Sequence, residues 1–183
     1  MKTLKSLSTA LAKIELKIAG ALVAVMTFLI VLNVVTRAAN MALFWIDEAA
    51  IYTMIWAVFL GAAVLLHRRE AVSVTLLKDV ASHKFKKTFD VIYDGSILIF
   101  SLLLLYFCWS WYRPDVLISV DFDFQEFSMA TMNFIYQDIT NTLRIPKYLV
   151  WLIIPYFALS CFIHSLANIL TINTKNNANN EAQ

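Results

Sequence analysis

Four apolar stretches of about bilayer length are packed into 183 residues, which leaves little chain for a soluble domain and excludes most enzyme architectures. They cover residues 18–36, 48–66, 95–112 and 148–170, and charged or polar residues bracket each one. About twenty residues at a 1.5 Å rise cross the ~30 Å hydrocarbon core, so each stretch qualifies as a span. Lipid offers no partner to backbone amides, and the alternation of barrel strands is missing, so the spans are predicted to be helices. The expected fold is an all-α membrane protein of four transmembrane helices, forming one domain over residues 1–172. The tail 173–183 (NTKNNANNEAQ) is polar and low in complexity and is predicted to be disordered.

The distribution of charge orients the chain. Of fifteen Lys and Arg residues, eleven lie in the N-terminal tail, the second linker and the C-terminus, and only Arg37, Arg113, Arg144 and Lys147 lie in the first and third linkers. The positive-inside rule therefore puts both termini in the cytoplasm. Trp45, Trp109, Trp111 and Trp151 fall near the opposite ends of spans, where amphipathic rings favour the interface; Trp56 lies mid-helix. The first apolar run is too long for a signal-peptide core and lacks a convincing small-x-small site, so it is expected to be retained. Cys108 and Cys161 fall at different depths, which argues for packing residues and against a disulfide.

Two segments have amphipathic spacing. Leu4, Leu7, Leu11, Ile14 and Ile18 recur every three or four residues with lysines on other faces, predicting an interfacial helix or a charged extension of the first span. Val72 to Phe85 is a weaker example. The outer linker 113–145 is acidic and aromatic, and Met129, Met132, Tyr136, Ile139 and Leu143 predict a short helix. That linker is either a docking surface for a soluble partner or a cover over the protein's own helices.

The polar residues near the span ends have structural explanations. Asp47 and Glu48 precede the second span, where they are expected to cap it and favour its dipole, while Arg68 and Arg69 suit its other end. Arg37 and Asn33 share a face of the first span, and an Arg37–Glu48 ion pair is expected to latch spans one and two. Ala49, Thr53, Ala57 and Gly61 form a small-residue stripe along which another helix can approach. Asp90 and Asp94 are expected at the N-terminus of the third span, with a proton or cation site as the sharper alternative. Pro146 suits a first helical turn and Pro155 should kink the fourth span. His164, Ser165 and Asn168 are expected to make polar helix contacts.

No acidic or basic residue is expected in the central part of a span, and ion-coupled carriers usually need one. The three histidines show no paired haem ligands and no zinc-type spacing, so no catalytic residue, metal or cofactor is expected and the chain is not read as an enzyme. The net charge of +2 says nothing about nucleic acid, and no nucleic-acid partner is expected.

Taken in order, Asn33, Arg37, Trp45-Ile46-Asp47-Glu48, Trp56, Gly61-Ala62-Ala63, Arg68-Arg69, Ile145-Pro146 and Pro155 resemble the small, Q-type membrane subunit of tripartite ATP-independent periplasmic (TRAP) transporters, from about Glu15 to Leu170. The resemblance implies a multi-pass protein of the bacterial inner membrane with two partners, a large multi-span permease and a transiently docking periplasmic substrate-binding protein. This chain would brace the permease during sodium-coupled uptake of an organic acid of the sialic acid or C4-dicarboxylate type. Sodium would bind to the permease and not to this chain. The alternatives are a self-sufficient small exporter, which would need a membrane-embedded carboxylate in the first helix, whereas Glu15 lies before the span, and a membrane anchor for a redox enzyme, which the absence of paired histidines disfavours.

Overall fold

The computed structural model describes residues 2–69 and 83–181. Helix α1 (Lys2–Ala38) and α2 (Trp45–Arg68) form the first antiparallel pair; α3 (His83–Tyr112) follows. The outer linker holds α4 (Pro114–Ser119) and α5 (Phe124–Thr131), and the fourth span is split into α6 (Lys147–Trp151) and α7 (Ile153–Glu181). Among the described residues, four helices are long and apolar enough to cross a membrane. Helix α1 packs along α2, and α7 contacts α1, α2 and α3, so α7 is the element that ties the bundle together.

The break at Leu152 is the consequence of Pro155. Proline has no N–H to offer the carbonyl one turn earlier, at Trp151, and its ring crowds that carbonyl. The bonds on either side are long: Leu152 N to Leu149 O is 3.4 Å and Tyr156 N to Leu152 O is 3.3 Å. Pro146 sits just before α6, where its missing N–H costs nothing.

The sequence expectations need revision at several points. The N-terminal segment is the charged extension of the first span, because α1 is continuous from Lys2, and its Leu/Ile stripe points outward: Leu7, Ile14 and Ile18 are exposed. Ser8, Ala12, Glu15 and Ala19, at helical spacing, face the bundle instead. Helix α7 continues to Glu181 past Asn173, where composition predicts a disordered tail; extending an established helix needs no new nucleus. The residues Val72, Leu76, Leu77 and Val80 of the second amphipathic segment lie outside the described residues.

The helix expected through Met129–Leu143 stops at Thr131, where Met132 takes a left-handed φ of 55°. Beyond it the chain turns, because Asn133 accepts from Ile135 N and donates to the Trp111 carbonyl. Asp123 starts α5 by accepting from the backbone of Gln125 and Glu126. Phe127, Leu117, Ile135 and Tyr136 form a small core of their own over Tyr112 and Tyr148, so the linker does cover its own helices. Burial, with Tyr148 alongside, pushes the Tyr136 phenol up, which keeps it a donor to the Tyr112 carbonyl 2.7 Å away.

Candidate functional site: a buried polar cluster and the two ends of the bundle

Glu15 is fully buried. Sequence reasoning placed it ahead of the first span and found no ionisable group inside; the structure puts its carboxylate between α1 and α7. Its Oε1 accepts from Ser160 Oγ at 2.5 Å and Tyr156 Oη at 3.0 Å, and its Oε2 lies 3.0 Å from His164 Nε2. Tyr156, Ser160 and His164 recur every four residues on α7, so one stripe of that helix presents three groups to one carboxylate. Across the cluster, Ser8 Oγ is 2.8 Å from His164 Nδ1 and 2.9 Å from His67 Nδ1. The two imidazoles lie with centroids 4.7 Å apart. A buried carboxylate is tolerable only when its oxygens are satisfied, and here both are.

A second cluster adjoins it. Arg69, left-handed at the end of α2, forms ion pairs with Asp94, which is fully buried, and with Asp90 at 3.5 Å. Asp90 and Asp94 are not at a helix N-terminus, since α3 begins at His83; they serve as partners for Arg69. Ser165 Oγ donates to the Asp94 carbonyl, and Asn168 Nδ2 to the His67 carbonyl and Asp94 Oδ1, which makes the expected polar contacts of α7 specific. Arg68 is exposed.

At the opposite end, the expected latch has a different acidic partner. Arg37 Nη2 meets Asp47 Oδ2 at 2.5 Å, and Asn33 bonds both Arg37 and Asp47. Glu48, one residue on, projects about 100° further round α2 and cannot share that partner. It reaches the outer linker instead, accepting from the backbone N–H groups of Asn141 (2.9 Å), Thr142 (2.6 Å) and Leu143 (2.9 Å), from the Thr142 hydroxyl and from Tyr52. Neither acid caps α2: its N-cap is Phe44, which makes no side-chain bond, although both carboxylates stand in the positive first turn.

The remaining residues singled out by sequence lie along α2 and α7. Trp56 Nε1 donates to the Val150 carbonyl at 2.9 Å, tying α2 to α6. Thr53 bonds back to Ala49 O, and Ala57 is buried. A Cβ added at Gly61 would meet nothing within 4 Å, so nothing among the described residues requires the glycine there. Trp45, Trp109, Trp111 and Trp151 keep much of their surface exposed, as interfacial anchors should. Cys108 and Cys161 are free and buried.

The family described as tripartite ATP-independent periplasmic transporters, DctQ component, matches residues 26–174. The chain belongs to this family. It is 28% identical over 92 residues to the C4-dicarboxylate TRAP transporter small permease protein DctQ of Vibrio cholerae serotype O1, covering 50% of this chain and 40% of that relative. No solved structure matches. The family match begins at Met26, so Ser8 and Glu15 fall ahead of it, whereas His67, Tyr156, Ser160 and His164 fall within it.

Proposed function

We propose that this chain is the subunit that braces the large permease of a sodium-coupled, binding-protein-dependent TRAP transporter in the bacterial inner membrane. The observation that carries the reading is the saturation of its interior. Glu15 and Asp94, the buried carboxylates among the described residues, are engaged by side chains of the same chain, which suits a rigid support better than a solute-gripping carrier. Among the described residues, one cleft between helices is lined by Leu104, Phe107, Cys108 and Trp111 and another by Leu22, Tyr52, Trp56 and Leu149; Glu15 lines neither.

The exposed apolar faces of α1 (Phe28, Val31, Val35) and α3 (Ile99, Leu103, Phe107) suit lipid or a partner's helices. The sodium belongs to the permease, and both termini face the cytoplasm. The outer linker exposes Phe122, Met129, Met132 and Phe134 among Asp121, Asp123 and Glu126, a surface suited to the periplasmic binding protein. Because the Vibrio relative carries a C4-dicarboxylate in its name, that class stands ahead of sialic acid as the transported organic acid.

The small-exporter alternative gains one point from the structure, a buried carboxylate in the first helix, and loses it because three side chains of the same chain already occupy that carboxylate. Reconstitution separates the readings. Vesicles holding this chain, its permease and the binding protein should accumulate the dicarboxylate down a sodium gradient, and vesicles holding this chain alone should not. Uptake by the isolated chain, or full uptake by the permease without it, overturns the proposal.

A further inference from the structure

The Glu15 cluster is one continuous hydrogen-bonded chain. It runs from the Glu15 carboxylate through the His164 ring and the Ser8 hydroxyl to the His67 ring, in the last turn of α2 beside Arg68. Ser8 has one proton and faces an imidazole Nδ1 on each side, so it can donate to one ring only and must accept from the other.

Two of the arrangements that satisfy every contact differ in which ring Ser8 donates to. In the first, both rings are neutral: His67 Nδ1–H donates to Ser8, the Ser8 hydroxyl donates to the bare Nδ1 of His164, and His164 Nε2–H donates to Glu15. In the second, His164 is an imidazolium whose Nδ1–H donates to Ser8, and Ser8 donates to the bare Nδ1 of His67. The two differ by one proton and by the direction of the relay.

The geometry points to an interior proton-binding site, in which a proton taken up at His67 lodges between His164 and Glu15 with the Ser8 hydroxyl as relay. The step balances. A proton adds to His67 Nε2 as His67 Nδ1–H passes to the Ser8 oxygen, and the Ser8 proton passes to His164 Nδ1. His67 changes tautomer without keeping charge, and the Glu15–His164 pair goes from net −1 to zero, so proton binding removes a charge from the bundle interior.

A positive charge on His67 would stand beside Arg68, whereas on His164 it faces the Glu15 carboxylate, so the charge change is assigned to the Glu15–His164 pair. Tyr156 and Ser160 donate to Glu15 in both arrangements, and Cys161 lies on the same helix. From α2 come His67 and Arg68, and the Arg69–Asp94 pair adjoins through Asn168. This inference is independent of whether the chain braces a permease.

The test is nitrogen NMR of the full chain, labelled with ¹⁵N-histidine, in lipid nanodiscs, with His83 assigned by its own substitution. As the pH falls, His164 should gain its second N–H in the same step that moves His67 from the Nδ1–H to the Nε2–H tautomer. Both rings should not be charged together, since two N–H groups would then face the Ser8 oxygen. Ser8→Ala should split the joint step into two independent ones, and Ser8→Thr, which keeps the hydroxyl, should preserve it. A His67 that holds one tautomer through the protonation of His164, two imidazoliums in one step, or a joint step surviving in S8A overturns the proposal. The wild-type titration decides the first two even if S8A does not fold.

Discussion

Glu15 is the residue whose replacement tests the packing account most directly. Leucine at this position fills similar space but strips the acceptor from Ser160, Tyr156 and His164, all held at 2.5 to 3.0 Å. A buried donor left without a partner costs about 1–3 kcal/mol, and these three share one environment, so their costs overlap. A net loss of about 3–5 kcal/mol is expected for Glu15→Leu, the size of three such overlapping costs.

Glutamine behaves differently. Its oxygen can still accept from Tyr156 and Ser160, and its amide can donate to His164 Nε2 once that ring carries its proton on Nδ1, so Glu15→Gln should lose only about 1 kcal/mol. For a chain this long each kcal/mol moves the melting temperature by roughly 2–4 °C, giving a fall on the order of 10 °C for leucine and a few degrees for glutamine. The protein supplies its own probe: Cys108 and Cys161 are free and buried, so a thiol-reactive fluorophore reports unfolding in detergent. A leucine variant melting with the wild type, or a glutamine variant as damaged as leucine, refutes the assignment of Glu15 as the clasp between α1 and α7.

Further substitutions probe the outer end and α2. Arg37→Asp and Asp47→Arg should each weaken the α1–α2 corner and the double swap should recover part of the loss; with side chains 57% and 47% exposed the effect stays within about 1 kcal/mol in a double-mutant melting cycle. Glu48→Ala should speed amide hydrogen exchange at Asn141, Thr142 and Leu143 while leaving α2 protected, and unchanged exchange there would refute the anchoring role. Gly61→Ala should leave the melting of the isolated chain unchanged or slightly raised, since its Cβ meets open space and alanine favours helix by up to about 1 kcal/mol. If that variant also loses its permease on co-purification, the gap at Gly61 is filled by the partner.

What could be read from sequence divides along physical lines. Span number and approximate position follow from hydropathy alone, because bilayer thickness imposes them. Pro155 announced its kink, since the missing amide acts locally. Asp47 and Glu48 were recognisable as a pair with Arg37 nearby, but which acid meets the arginine depends on the rotation of α2 against α1, and one residue changes the facing direction by 100°. In the outer linker, Met129, Met132 and Tyr136 recur at helical spacing and suggest a helix continuing to Leu143, whereas Asn133 bonds and a left-handed Met132 end α5 at Thr131.

Glu15 was missed for a more general reason. In water an amphipathic helix buries its apolar stripe, and the Leu7, Ile14 and Ile18 pattern invites that reading. In a bilayer the apolar stripe already has a suitable solvent, so it gains little by turning inward. A polar side chain on such a helix has no partner in lipid and is driven toward another helix that can supply one. The signal that could have found the cluster was therefore the other stripe of α1, Ser8-Ala12-Glu15-Ala19, small and polar, matched by Tyr156-Ser160-His164 at four-residue spacing on the last span. Two polar stripes of this kind, each unsatisfiable in hydrocarbon and complementary as acceptor and donors, have one low-energy arrangement, which is to face each other. The same logic predicts that Ser160→Ala, which removes the shortest of the three bonds to Glu15, lowers the melting temperature, and that Ser110→Ala on the exposed face of α3 does not.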